Sequence, residues 1–193
     1  MVKFPPKDYT QAVDFPGAIA LEPIGIVRSP YTERHGTPRQ SQLTRVPEEY
    51  QPAIACINLF PEIVPPEALK DLDGFEYLWV IAWLHLNRHW NPTVIPPRGP
   101  RVRRGTLATR APHRPNPLGL SATRLIKIEG LVIYVEGIDL LDQTPVLDIK
   151  PYVPYCDAFP NANSGYVDVA EKAIATEADI FGQAGHPGIT KAL

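Results

Sequence analysis

The sequence predicts a mainly β (α+β) fold: a β-barrel of mostly antiparallel strands, with a few short peripheral helices and a C-terminal helix. Three observations carry this expectation. Proline makes up 23 of the 193 residues, about twice its usual share, and each one removes a backbone donor and clashes inside a helix. Short apolar runs recur between Pro and Gly punctuation, as strands do. Most of these runs are close together and joined by turns, which favours antiparallel pairing. Closing the sheet into a barrel then removes its exposed edges.

In chain order, strands are expected over 24–28, ended by Ser29-Pro30, and over 53–59. A short helix over 66–72 has Pro early and Gly74 beyond its end. Residues 77–86 (YLWVIAWLHL) are almost all apolar, which predicts a strand buried on both faces. Residues 106–109 form a short fourth strand. Within 123–141, the runs RLIKI and LVIYV flank Glu129-Gly130, the pattern of a tight hairpin with Gly130 at positive φ. The alternating stretch PVLDIK, 145–150, is a further strand. The best helix covers 167–181, where Val167, Ala170, Ile174, Ala178 and Phe181 share a face before Gly182. This divides the chain into an N-terminal arm (1–20), a barrel domain (21–160) and a C-terminal helix with a tail (161–193).

The formal net charge of −2 hides a segregation. No Asp or Glu occurs from Tyr77 to Ile128, which holds Arg88, Arg98, Arg101, Arg103, Arg104, Arg110, Arg114, Arg124 and Lys127. A long acid-free basic segment suits an anionic partner, because ordinary surfaces mix signs. Arginine outnumbers lysine in it eight to one, which fits forked contacts to phosphate or carboxylate. The loop RGPRVRR, with Arg98, Arg101, Arg103 and Arg104, is the expected RNA-binding element, against the plainer reading of a solvated loop. Trp90 can stack on a base; Trp83 is expected in the core. Two widely spaced cysteines, Cys56 and Cys156, form no CxxC, which argues against a disulfide framework or zinc finger. No signal-peptide core and no 18-residue apolar span is present, so the cytoplasm is the expected location.

The common cofactor signatures are missing: no GxGxxG, no GxxxxGK[ST], no GxSxG. His85 and His89 have helical metal spacing but follow a strand and lack a companion glutamate, so no metal is expected. The stretch ATRAPHRPNPLGLS, 108–121, is stiffened by Pro112, Pro115 and Pro117. It reads either as a rigid connector or as a loop presenting Arg110 and Arg114 at fixed angles to a ligand. Asp139 and Asp142 lie at a strand end and turn, where an aspartate also commonly makes only a local Asx-turn.

The ordered set IGIVRSPY, TPRQ, GFEYLWVIAWLH, ATRAPHRPNPLGLS and DLLDQTPVLDIKPYVPYCD resembles the TsaA-like (YaeB) family, the TrmO-type tRNA N6-threonylcarbamoyl-adenosine methyltransferases. The likeness runs from about Ile24 to about Asp157. It implies a β-barrel methyltransferase using S-adenosylmethionine, in agreement with the missing dinucleotide fingerprint. It also implies a homodimer with its site near the subunit interface and a threonine tRNA substrate methylated beside the anticodon. Carried over by motif, Pro38, Arg39, Gln40, His85, Leu86, Arg110, Arg114, Ser121, Asp139, Leu140, Leu141 and Asp142 become the cofactor-binding set. His85, Arg110 and Arg114 are the catalytic candidates within it. Direct in-line transfer needs neither a metal nor a covalent enzyme intermediate, and proximity supplies most of the catalysis.

Gln143 departs from the family, standing where many relatives have Gly in a DGTP turn, and Leu86 stands where some have Gln. Many bacterial members also carry an additional C-terminal domain thought to help hold tRNA, whereas one helix and a short tail follow the signature here. Two alternatives therefore accompany the tRNA methyltransferase reading: an S-adenosylmethionine-binding protein acting on another RNA or a small adenylate, and a non-catalytic RNA-binding regulator.

Overall fold

The computed structural model describes residues 17–34, 37–38, 53–97 and 101–168. Six strands close into a barrel: β1 (Gly25–Arg28), β2 (Ile54–Leu59), β3 (Tyr77–Trp83), β6 (Leu118–Glu129), β7 (Val132–Glu136) and β8 (Pro145–Pro151). Around the barrel they run β1-β2-β7-β6-β3-β8, and every neighbouring pair is antiparallel. A separate two-stranded ribbon pairs β4 (Thr93–Val94) with β5 (Arg104–Gly105). Closure leaves no barrel edge open to pair with another chain.

Alternation along the strands fills the interior. Val27, Ile57, Leu78, Val80, Ile133, Val135 and Val146 are fully buried, each contributing about 1.5–3 kcal/mol relative to exposure. Gly25 sits in this wall because a Cβ there would lie 2.6 Å from the Asn58 carbonyl oxygen. The β6–β7 hairpin turns on Gly130 at φ +59° while Leu131 keeps an ordinary φ, the pattern of a II′ turn.

The structure corrects several expectations. Strand β3 is not buried on both faces. Leu78, Val80 and Ala82 point inward, while Trp83 is 45% exposed and so is not a core residue. Outside the barrel, Trp79 and Tyr77 pack on the Tyr152 ring, with centroids 5.4 and 6.2 Å away. Residues 106–109 are not a strand: Thr106–Ala108 form a 3₁₀ turn, because the Thr106 amide and hydroxyl bond to the Pro92 and Asn91 carbonyls. The helix expected over 66–72 is two 3₁₀ turns, Pro66–Leu69 and Leu72–Gly74, broken at Asp71 with φ +65°. A one-turn helix, α1 (Pro154–Asp157), follows β8. Asp157 accepts hydrogen bonds there from the Trp79 indole and the Val153 amide. The helix expected over 167–181 lies outside the described residues except for its first two.

Registers decide what the fold positions. Arg28 pairs with Cys56, Ile54 with Glu136, Trp83 with Leu118, and Ile26 with Pro145. One rim of the barrel therefore collects the ends of β1, β3 and β7 and the beginnings of β2, β6 and β8. The described segments that carry expected cofactor residues all leave or enter the barrel at this rim.

Candidate active site at one rim of the barrel

The segment 137–144 between β7 and β8 supplies much of the rim. Gly137 turns the chain at φ +79°, after which Ile138 and Leu140 point into the core. The half-buried Asp139 carboxylate accepts a hydrogen bond from the hydroxyl of Ser121, which is buried on β6. Asp142 accepts one from the Ser29 amide at 3.1 Å, and its second carboxylate oxygen lies 3.8 Å from the Arg28 guanidinium. Asp142 is therefore more than a local turn-former. Gln143 adopts φ +64°, the left-handed conformation for which glycine is the unstrained residue.

Leu84 and His85 leave β3 on the other side of this rim. Leu84 donates its amide to the Pro117 carbonyl at 2.7 Å, which closes the neck of the excursion between β3 and β6. At Gly119, an added Cβ would lie 3.1 Å from the Leu84 side chain and 3.5 Å from that of Leu140. These three residues thus form a tight apolar floor linking the β3 end, the β6 start and the 137–144 segment. The His85 Nδ1 atom is buried with no partner among the described residues, its ring meeting Trp83 edge-on at 6.0 Å. An unpartnered buried nitrogen is costly, so a ligand group reaching it removes a penalty. Leu86 is exposed and Pro38 half-buried. Arg39 and Gln40 lie outside the described residues.

The excursion from Leu84 to Pro117 is organised by its own polar contacts. Arg103 donates to the Thr93 hydroxyl at 3.1 Å across the β4–β5 ribbon. Arg104 stacks over the Tyr166 ring at 4.6 Å. His113 Nδ1 lies 3.1 Å from the His89 carbonyl. Arg114 donates through one nitrogen to the carbonyls of Thr109 at 2.8 Å and, more weakly, of Thr106 and Ala111, which holds the 3₁₀ turn against the proline-rich stretch. Arg110 lines a cleft of about 570 Å³ with Leu107, Thr109, Ser164 and Tyr166. Arg101 is exposed, and Arg98 lies outside the described residues.

The basic segment is thereby subdivided. Arg124 pairs with Glu76 and Glu136, and Lys127 with Glu129, all contributed from beyond the segment. The cationic character concentrates in the excursion beside the rim. Among the described residues no group of three or more His, Cys, Asp or Glu is placed to hold a metal, and no helix is long and apolar enough to cross a membrane.

Two rim residues escape sequence reasoning. Ser29 and Tyr31 follow β1 and hydrogen-bond to the 137–144 segment. Burial and the negative Asp139 carboxylate hold the Tyr31 phenol above the ordinary tyrosine value. Their only sequence signal is the RSPY motif itself, since nothing in it indicates a partner more than a hundred residues away.

S-adenosylmethionine presents ribose hydroxyls and an ammonium as donors, a carboxylate, and an adenine ring with both donors and acceptors. The rim offers the Asp139 and Asp142 carboxylates, the orphaned His85 nitrogen, the apolar Leu84–Gly119–Leu140 floor and neighbouring arginines, so the residues present fit such a ligand.

Comparison with known proteins agrees with this geometry. Residues 26–158 match the family described as the tRNA-methyltransferase O N-terminal domain. The chain is 36% identical over 170 residues to the Escherichia coli protein named tRNA (adenine(37)-N6)-methyltransferase, which covers 83% of this chain and 70% of that protein. It is 39% identical over 140 residues to a Methanothermobacter thermautotrophicus protein named probable S-adenosyl-L-methionine-binding protein, covering 72% of this chain and 94% of that one. The crystal structure of TrmO from Pseudomonas aeruginosa superposes with a TM-score of 0.64 at 37% identity, covering 78% of this chain and 63% of that one. The chain thus spans about two thirds of the bacterial relatives. With the match covering most of the barrel and its rim, the chain belongs to the tRNA-methyltransferase O N-terminal domain family.

Proposed function

We propose that this protein is an S-adenosylmethionine-dependent tRNA methyltransferase that methylates N6 of a threonylcarbamoylated adenosine beside the anticodon of threonine tRNA. The observation that carries the reading is the convergence, at one barrel rim, of Ser121–Asp139, Asp142 and the unpartnered His85 nitrogen beside the arginine-rich excursion. The names of the relatives point the same way.

In this reading Asp139, Leu140, Leu141 and Asp142 hold the cofactor, with His85, Leu86, Ser121, Pro38, Arg39 and Gln40 completing the set that binds it. Bound S-adenosylmethionine supplies an electrophilic methyl group on its sulfonium. Asp139, kept in place by Ser121, accepts from ribose or ammonium donors. The Leu84–Gly119–Leu140 floor keeps water from beneath the site. His85 receives, at Nδ1, the proton that leaves N6. Arg110, facing the cleft, pairs with the substrate's anionic groups, and Arg114 holds the turn that carries it. Arg98, Arg101, Arg103 and Arg104 neutralise tRNA phosphates. Catalysis then rests chiefly on holding N6 in line with the methyl carbon.

The barrel works as a homodimer in the cytoplasm. Trp83, Leu118 and Leu120 are each between 43% and 56% exposed on the outer face beside the rim. Trp83 and Leu118 are directly paired across β3 and β6, forming an apolar patch suited to a second copy. Light scattering during gel filtration should give twice the chain mass, with Leu120→Asp shifting it to the monomer.

The deciding experiment incubates the protein with labelled S-adenosylmethionine and threonine tRNA, with and without the threonylcarbamoyl group, followed by nucleoside mass spectrometry. Methylated product on the modified tRNA alone supports the reading. Cofactor binding without transfer to any RNA overturns it.

A further inference from the structure

The 138–143 segment that carries Asp139 to Asp142 belongs to no strand, so its position must be set by contacts outside the barrel ladders. Besides the bond from Ser121 to Asp139, those contacts come from the residues that finish and follow β1. Gln143 donates its amide to the Val27 carbonyl at 2.9 Å, and Asp142 donates to the Tyr31 carbonyl at 2.7 Å. Ser29 donates in the opposite direction twice, from its amide to Asp142 Oδ1 at 3.1 Å and from its hydroxyl to the Leu140 carbonyl at 2.9 Å. The same hydroxyl accepts the Tyr31 amide at 3.3 Å. One small side chain therefore joins both segments at the centre of the lacing. Pro30 restricts Ser29 to extended conformations, so Ser29 meets the segment with its orientation largely decided beforehand.

We infer that Ser29 is a positioning residue for the cofactor pocket: it holds the Leu140–Asp142 backbone in the ligand-ready conformation without itself touching the ligand. The inference rests on the proposed function, in that it takes the 139–142 segment as part of the S-adenosylmethionine pocket. Ser29 is half-buried at the rim and not in the barrel core, so its removal loosens the segment while the ladders persist. Preorganisation of this kind appears as affinity, because the ordering cost otherwise falls on binding.

The test compares wild type with Ser29→Ala, Ser29→Thr and Ser29→Cys, the last retaining the shape with a weaker donor. In the unliganded protein, Ser29→Ala should speed hydrogen exchange of the Asp142 amide by about tenfold or more, leaving β3 and β6 amides unchanged. By calorimetry it should weaken S-adenosylmethionine binding by about tenfold, which is one hydrogen bond's worth. KM for the cofactor should rise in parallel, kcat at saturation staying within about twofold. Ser29→Thr should restore all three, and Ser29→Cys should behave like Ser29→Ala and replaces it should the alanine variant not fold. Unchanged exchange and affinity in a folded Ser29→Ala or Ser29→Cys protein overturns the inference. Faster exchange of the Asp142 amide without a change in affinity also overturns it, reducing Ser29 to a structural residue. A wild-type protein that does not bind S-adenosylmethionine at all overturns the proposed function instead, and the two failures are thereby distinguishable.

Discussion

The buried hydroxyl of Ser121 donates to the carboxylate of Asp139, joining strand β6 to the segment between β7 and β8 across one rim of the barrel. A bond to a charged acceptor contributes more than a neutral one, about 1.5–3 kcal/mol. Ser121→Ala should lower stability by about 1.5 kcal/mol in urea titration and weaken S-adenosylmethionine binding by about tenfold. An Asp139→Ala variant binding the cofactor as tightly as wild type would remove Asp139 from the pocket.

Gln143 occupies the left-handed region at φ +64°, where a side chain costs about 1–2 kcal/mol. Its amide bond to Val27 survives substitution. Gln143→Gly should therefore stabilise the protein by about 1 kcal/mol, part of the gain being offset by the entropy glycine adds to the unfolded chain. A rise in thermal midpoint with an unchanged fold by circular dichroism is the expected result.

Two glycines should respond differently to alanine. At Gly25 the new methyl group meets a backbone oxygen at 2.6 Å, which no side-chain rearrangement relieves, so Gly25→Ala should cost about 3 kcal/mol. At Gly130 nothing lies within 4 Å but φ is +59°, so Gly130→Ala should cost about 1 kcal/mol from backbone strain alone. Equal losses for both in denaturant titration would contradict the packing difference.

Arg101 is exposed, whereas Arg103 bonds to Thr93 across the β4–β5 ribbon. Arg101→Ala should weaken tRNA binding and lower the slope of log affinity against log salt by about 1, the value for one phosphate contact. Protein stability should be unaffected. Arg103→Ala should reduce the slope similarly while also loosening the ribbon, detectable as faster exchange at Arg104–Gly105.

The Tyr31 phenol is held above its ordinary value of 10.0 by burial, with Asp139 adding to the shift. The unfolded chain therefore releases this proton first as pH rises. Its contribution to stability is fully present below pH 10.0, declines above it, and is lost as pH passes the folded value. The stability difference between wild type and Tyr31→Phe should be flat up to about pH 9 and then shift against wild type above pH 10, as followed by urea titration at each pH.

The six barrel strands, the hairpin at Gly130 and the segregation of charge were legible in the sequence, because each depends on local residue spacing and chain punctuation, whereas the β4–β5 ribbon and the turn at Thr106 were not. The sequence by itself also determined family membership, since the RPNPLGLS and DIKPYVPYCD runs are long and specific. Its element errors have local causes with distant origins. Strand alternation turns half of the apolar run in β3 outward, and those residues can be apolar because Tyr152, from beyond β8, covers Tyr77 and Trp79 on the outer face. The Thr106 turn exists because the Asn91 and Pro92 carbonyls capture Thr106. Tertiary structure alone decided which side chains share a rim. Barrel closure brings β1 beside β8, and only then do Ser29 and Tyr31 meet a segment more than a hundred residues further along the chain. Strand pairing separates the basic residues: Arg124 meets Glu136 across the β6–β7 pair and Glu76 just before β3, and Lys127 meets Glu129 two residues along its own strand, while the arginines of the excursion remain at the rim. Apart from the Lys127–Glu129 pair, two residues apart on one strand, neither outcome follows from spacing, because hydrogen bonds and ion pairs depend on distance in space, and the register of six strands sets that distance.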